Sequence, residues 1–210
     1  SDFLAAHVSG SSTTYRDVDS ADHVALIGFE PEEESPIVFL RLNKNFKKRG
    51  LKVTSVATKQ SIAMDKLKAD FIKVAPGAEA TAVASLSLTA KSIILVGERA
   101  SETAGLLSAV AALAAKTGSK LAYIPRRAGE RGALEAGAIG NLLPGGRPVT
   151  DAAARVDIAA AWGVESLPTT VGRTTSEIIS ALAQGELDSL VVGGVDAHDL
   201  HNSNQVIDAL

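Results

Sequence analysis

Six short runs along the 210-residue chain are almost continuously apolar: HVALIGF (23–29), LKVTSVA (51–57), FIKVA (71–75), SIILVGE (92–98), KLAYIP (120–125) and SLVVGGV (189–195). Alternation would mark strands with one wet face, whereas continuous runs mark strands covered on both faces, as in a parallel sheet. Stretches of helical spacing lie between most of them. PIVFLRLNKNFKKRG (36–50) carries Ile37, Leu40 and Phe46, a basic last turn from Lys47 to Arg49, and Gly50 where a left-handed C-cap fits. SETAGLLSAVAALAAKTG (101–118) predicts a helix from an N-cap at Ser101 to a stop at Gly118. Near the end, TTSEIISALAQGELD offers the capping box Thr174-x-x-Glu177 and closes at Gly185. Strand and helix in alternation predict an α/β fold: a doubly wound, mostly parallel, Rossmann-like sheet with helices on both faces and right-handed crossovers.

The stretch 126–173 breaks the rhythm. RRAGERGALEAGAIGNLLPGGRPVTD is dense in Gly and Arg and poor in strand signal, and DAAARVDIAAAWG follows it as a helix capped by Asp151. The expected organisation is a lead-in segment over 1–21, rich in Ser and Thr and weakly ordered, then a Rossmann-like lobe over 22–125. Residues 126–210 then form a crossing segment, two helices and a final strand, as a second lobe or as a continuation of the same sheet.

Composition narrows the chemistry. A chain of this length buries roughly 70% of its unfolded surface and needs no staple. With no cysteine, disulfides, thiolate catalysis and cysteine-ligated clusters have no residues here to use. The net charge of −3 gives no basic field to follow a phosphate backbone, so nucleic acid is not an expected partner. No apolar run approaches the ~20 residues of a membrane-spanning helix, so direct membrane insertion is not expected. The chain opens SDFLAAHV without an initiating Met, as a processed protein or a piece of a longer one would.

Catalytic candidates are few. His198 and His201, within DAHDLHN beside Asp196 and Asp199, suggest a metal site only until the absence of HExxH and of a second ligand pair is weighed; a solvated turn is the expected reading. His7 and His23 flank structural elements. No GxSxG, GxGxxG or P-loop is present. Gly97 and the Gly193-Gly194 pair follow apolar runs, where glycine lets the backbone turn tightly at a sheet edge. Arg126, Arg127 and Arg131, in PRRAGERG, form a basic cluster after an apolar run. Their guanidiniums could grip phosphate or carboxylate, pair with the acidic turn at 30–34, or face a neighbouring subunit. Trp162 is expected to anchor a core at a helix end. No catalytic residue and no metal ligand is assigned.

One junction resists the simple picture. GFEPEEESP (28–36) joins the first run to the first helix, where such folds meet anions, yet it holds Glu30, Glu32, Glu33 and Glu34. ADHVALIGFEPEEESPIVFLRLNKNFKKRGLKVTSVA resembles a unit of the molybdopterin oxidoreductases, the dimethyl sulfoxide reductase superfamily. That unit is a strand, a Gly-x-Asn-Pro turn, a second Pro opening a helix with a basic end, and a strand closing on Asp-Pro-Arg. The later SIILVGE, LAAKTGSKL, RRAGERGALEAGAIGNLLPG and WGVESLPTTVGRTTSEIISALAQGELDSLVVGGVD follow in the same order, so the resemblance runs over about residues 20 to 197. Within that superfamily, GFEPEEESPIVFLRLNK, PRRAGERGALEAGA and LLPGGRPV are similar to the G-subunit family of bacterial NADH-quinone oxidoreductases, respiratory complex I, in its actinobacterial form.

The resemblance implies an electron-transfer subunit working from NADH to quinone with proton pumping. Iron–sulfur clusters would lie outside these residues, in N-terminal domains of the same chain. Expected partners are those domains and other subunits, and the expected location is a peripheral arm on the cytoplasmic face of the inner (plasma) membrane. It implies no cofactor in this region and a scaffold role. Here the Asn position is Glu30, and the strand ends Ala57-Thr58-Lys59 where cofactor-binding members have Asp-Pro-Arg. Two like charges ~4 Å apart cost about 4 kcal/mol at an effective dielectric of 20, so the turn is expected to repel a pyrophosphate and to cap its own helix. Gly28, Glu30, Gly97, Arg126 and Arg127 are the expected remnants of the pocket. The competing expectation is a small-molecule or nucleotide-binding α/β module that uses Arg126, Arg127 and the strand-end glycines.

Overall fold

The computed structural model describes residues 2–10, 13–169, 172–200 and 203–209. It divides into two compact units, residues Ser1–Glu165 and Ser166–Leu210, so the boundary expected at 126 falls inside the first.

The first unit opens with α1 (Asp2–His7) and α2 (Tyr15–Ser20). Thr14 and Asp17 cap α2 reciprocally, so a segment expected to be weakly ordered carries defined helices. Then come β1 (His23–Ile27), α3 (Pro31–Glu34), α4 (Pro36–Arg49), β2 (Lys52–Ala57), α5 (Ile62–Leu67), β3 (Asp70–Lys73), α6 (Glu79–Ala84) and β4 (Ser92–Gly97). A 3-10 turn (Glu98–Glu102) leads to α7 (Leu106–Thr117), β5 (Lys120–Ile124), α8 (Glu130–Glu135), the strand pair β6 (Leu142–Leu143) and β7 (Arg147–Pro148), and α9 (Ala152–Trp162).

Strands β1 to β5 form one sheet in the order β3-β2-β1-β4-β5, and every pairing in it is parallel. The continuous apolar runs have the expected cause. Val24 and Leu26 of β1, with Ile93 and Leu95 of β4, pack with Val38, Phe39, Leu42, Met64 and Leu67. The alternate residues Ala25, Ile27, Ile94 and Val96 pack with Val83, Leu106, Val110 and Leu113. Both faces are therefore covered, α4 and α5 on one and α6 and α7 on the other, which is the three-layer α/β architecture.

Several local expectations change. In α4 the residues facing the core are Val38, Phe39 and Leu42, while Ile37 and Leu40 are exposed. A helix rich in apolar residues leaves its rotation open, and the close packing of Phe39 and Leu42 decides it. Helix α7 begins at Leu106 behind a left-handed Gly105, not at Ser101, whose hydroxyl donates to the Glu98 carbonyl inside the 3-10 turn. Trp162 does end α9, ahead of a left-handed Gly163, but it is 58% exposed and anchors no core.

In the second unit, α10 (Thr175–Ala183) carries the capping box, with Thr174 and Glu177 bonded in both directions. It is followed by a 3-10 turn (Ala197–Asp199) and α11 (Ser203–Ala209). The run 189–195, expected as the final strand, has no strand pairing among the described residues. Its valines are exposed, Val191 almost wholly so.

Candidate functional site

In an open parallel sheet, strand order reverses at one point, and the crevice beyond the strand ends there is where ligands settle. Here that point lies between β1 and β4, the strands leading away on either side. A cleft of about 810 Å³ opens at this end, lined by Gly28 after β1, Ala57 at the end of β2 and Lys59 beyond it, Pro76 and Gly77 after β3, and Arg99 after β4.

Gly28 and Gly97 bring two stretches of backbone close together at this edge. A Cβ on Gly97 would lie 2.3 Å from the Gly28 carbonyl oxygen, and one on Gly28, whose φ is +56°, would lie 2.5 Å from the Ala100 amide nitrogen. Only glycine lets the β1 turn and the turn after β4 touch backbone to backbone. Both glycines were legible as strand-end glycines, but this reciprocal contact is a tertiary fact.

The four glutamates of the junction have separate tasks. Glu30 caps α3, accepting from the Glu32 amide at 3.3 Å. Helix α4 begins behind Ser35 with no side-chain cap, so Glu30 caps α3 and none of the four carboxylates caps the longer helix. Glu32 pairs with Lys66, Glu33 is exposed, and Glu34 turns inward. Glu34 Oε1 forms an ion pair with Arg99, 2.8 Å from Nε, and accepts from Arg126 Nη2 at 3.5 Å, while Oε2 is buried with no hydrogen-bond partner.

The arginine cluster is brought to this edge and shared among glutamates. The Arg126 amide donates to Glu98 Oε1 at 2.9 Å. Arg127 bonds Glu130 at 2.8 Å and lies 3.7 Å from Glu98, which raises its pKa. Arg131 bonds Glu135 along α8. Tyr123, on β5, has its hydroxyl pKa raised by burial and by Glu98 and Glu130. Arg99 was missed from the sequence, because a single Arg in an irregular turn gives no local sign of its partner 65 residues upstream.

Glu30, Glu32, Glu33, Glu79 and Glu102 line the cleft against Lys59 and Arg99, so acid outnumbers base. Elsewhere, His23 Nε2 lies 2.8 Å from Thr54 Oγ1, and burial followed by Lys52 lowers its pKa. His7 packs on Phe3. His198 is exposed and bonded to Asp196, whose pKa its amide and then its ring lower, and His201 lies outside the described residues. Among the described residues no group of three or more His, Asp or Glu is placed to hold a metal. No helix there is long and apolar enough to cross a membrane.

A parallel sheet covered on both faces, with a cleft at its switch point, defines a doubly wound α/β protein. The family model for molybdopterin oxidoreductase matches residues 2–210, and the chain belongs to that family. The NADH-quinone oxidoreductase G-subunit of Mycobacterium tuberculosis is 45% identical over 219 residues, an alignment covering 100% of this chain and 27% of that protein. The G-subunit of the same name from Streptomyces coelicolor is 42% identical over 241 residues, 100% of this chain and 29% of that protein. Formate dehydrogenase H of Escherichia coli is 36% identical over 98 residues, 45% of this chain and 14% of that protein. The chain thus spans little more than a quarter of the length of the curated G-subunits it matches.

Proposed function

We propose that this chain is the molybdopterin-oxidoreductase-like region of an electron-transfer subunit of a bacterial NADH-quinone oxidoreductase, serving there as a framework that holds no pterin nucleotide. The carrying observation is the charge of the cleft, five carboxylates against two cations. A pyrophosphate entering it meets repulsion from several sides, and the strand end Ala57-Thr58-Lys59 supplies no carboxylate to receive a guanine. The residues therefore do not fit a pterin guanine dinucleotide. Identity along the whole chain to two NADH-quinone oxidoreductase G-subunits supports the setting.

In this reading the electrons travel through iron–sulfur clusters carried elsewhere in the parent. This region packs against the cluster-bearing domains and neighbouring subunits, in a peripheral arm on the cytoplasmic face of the membrane. The parent catalyses NADH oxidation by quinone coupled to proton pumping, while the region alone is inactive. Gly28, Glu30, Gly97, Arg126 and Arg127 are the remnants of the ancestral pocket.

The test is to purify the full-length protein from its host. It should co-purify with an NADH-oxidising, iron-containing assembly, with neither molybdenum nor tungsten by elemental analysis and no guanine dinucleotide in an acid extract. Stoichiometric metal and guanine dinucleotide would overturn the cofactor-free reading, and failure to co-purify with such an assembly would overturn the setting.

A further inference from the structure

We infer that the carboxyl edge of the sheet holds a site for a small oxyanion, of the phosphate or sulfate class, which Glu34 fills from within. This rests on the reading that the crevice takes no nucleotide and concerns the strand ends beside it, where Arg99 is shared with the cleft lining. Glu34 is the last residue of α3, which follows β1; Arg99 lies in the turn after β4, and Arg126 follows β5. One carboxylate thus ties three strand ends together at the point where the strand order reverses. Its side chain is only 10% exposed.

The donors fit an anion more generally than they fit this glutamate. Among the described residues, neither the Arg99 nor the Arg126 side chain pairs with any carboxylate other than Glu34, whereas Arg127 is shared between Glu98 and Glu130. Glu34 uses one oxygen for both guanidiniums and leaves Oε2 buried without a donor, 3.1 Å from where a Cβ on Gly97 would stand. Buried acceptors are normally satisfied. An orphaned oxygen at a close-packed glycine edge means that the two guanidiniums were not arranged around this carboxylate alone.

Guanidinium forks receive carboxylate and phosphate with the same geometry, so a free oxyanion and Glu34 compete for the same two cations. A tethered group competes at millimolar effective concentration or above, and that keeps the site closed. Glu98 limits what could enter once Glu34 is gone. Its Oε1 accepts from the Arg126 amide at 2.9 Å, so a carboxylate stays beside the two guanidiniums and disfavours the multiple charges of a nucleotide polyphosphate.

The experiment is titration calorimetry of the full-length protein with inorganic phosphate at low ionic strength. The wild type should give no saturable heat at millimolar phosphate. Glu34→Ala should bind at least about tenfold more tightly than the wild-type limit, and adding Arg99→Ala should abolish the gain. If Glu34→Ala does not fold, Glu34→Gln keeps the side-chain length without the charge, and its Tm should rise with phosphate while the wild-type Tm does not. Equal binding by wild type and variant, no binding by a folded variant, or binding that survives the loss of Arg99 would overturn the inference. The metal and guanine content of the wild type is read separately, so either idea can fail alone.

Discussion

SIILVG at 92–97 and SLVVGG at 189–194 both open on Ser, run through branched aliphatic residues and close on Gly, yet the first is the fully buried strand β4 and the second is no strand. The first has β1 bonded along one side and β5 along the other, with apolar layers above and below. The second has no strand beside it among the described residues and exposes Leu190, Val191, Val192 and Val195. Strand propensity mostly measures how well a side chain packs on a half-buried, pleated surface. Where no neighbour supplies that surface, the propensity has nothing to act on.

The largest expected contrast lies in the side chains of these runs. Leu95→Ala should cost about 3–4 kcal/mol by leaving a cavity at the centre of the sheet. Val191→Ala, with its side chain in solvent, should stay within about 0.5 kcal/mol of wild type. Urea denaturation of both variants checks this, and similar losses would mean that the second run is buried after all.

The glycines sharpen the same contrast at a smaller scale. Gly97→Ala places a methyl 2.3 Å from the Gly28 carbonyl oxygen, and because both partners are backbone it should cost about 2–3 kcal/mol. Gly193→Ala meets nothing within 4 Å and should be neutral or stabilising by up to about 1 kcal/mol through the unfolded chain. A thermal melt of each variant distinguishes the outcomes.

The helix caps should behave alike in the two units, because a cap is satisfied within its own turn. Thr14→Ala and Thr174→Ala should each cost about 1 kcal/mol, read from unfolding followed by circular dichroism. A much larger loss at Thr14 would show that its neighbourhood, not the cap, sets the value.

The smallest effect is the titration of His23. Burial and Lys52 hold its folded pKa below the ordinary 6.5, with Asp70 opposing. The unfolded chain therefore binds the proton more readily, and stability should fall as the pH drops from about 6.5 towards the folded value and stay level above it. The slope should be a fraction of one proton, since the ring is only partly buried, and His23→Asn should flatten it. A Tm unchanged by the substitution between pH 5 and 7 would remove His23 from the acid response.

The caps were the most legible features of the fold. Gly50, Gly118, Asp151 and the Thr174–Glu177 box stand where their spacing puts them. The expected start at Ser101 failed because residues 98–102 form a 3-10 turn, in which the Ser101 hydroxyl donates to the Glu98 carbonyl, and the helix starts only behind the left-handed Gly105. The site was legible as a list and not as an arrangement. Arg126 stood out, but Glu34 was only one of four neighbouring glutamates, and nothing marked it as the one that turns inward.

The chain's own letters settled the α/β class, the order of most strands and helices, most of the caps and the family, because these follow from hydrogen bonds and apolar periodicity within a few residues. Only the folded molecule chose which valine-rich run became a strand, which face of α4 went inward, and that Glu34 meets an arginine 92 positions away. Those choices depend on surfaces brought together from distant parts of the chain, and no short window of sequence contains both partners.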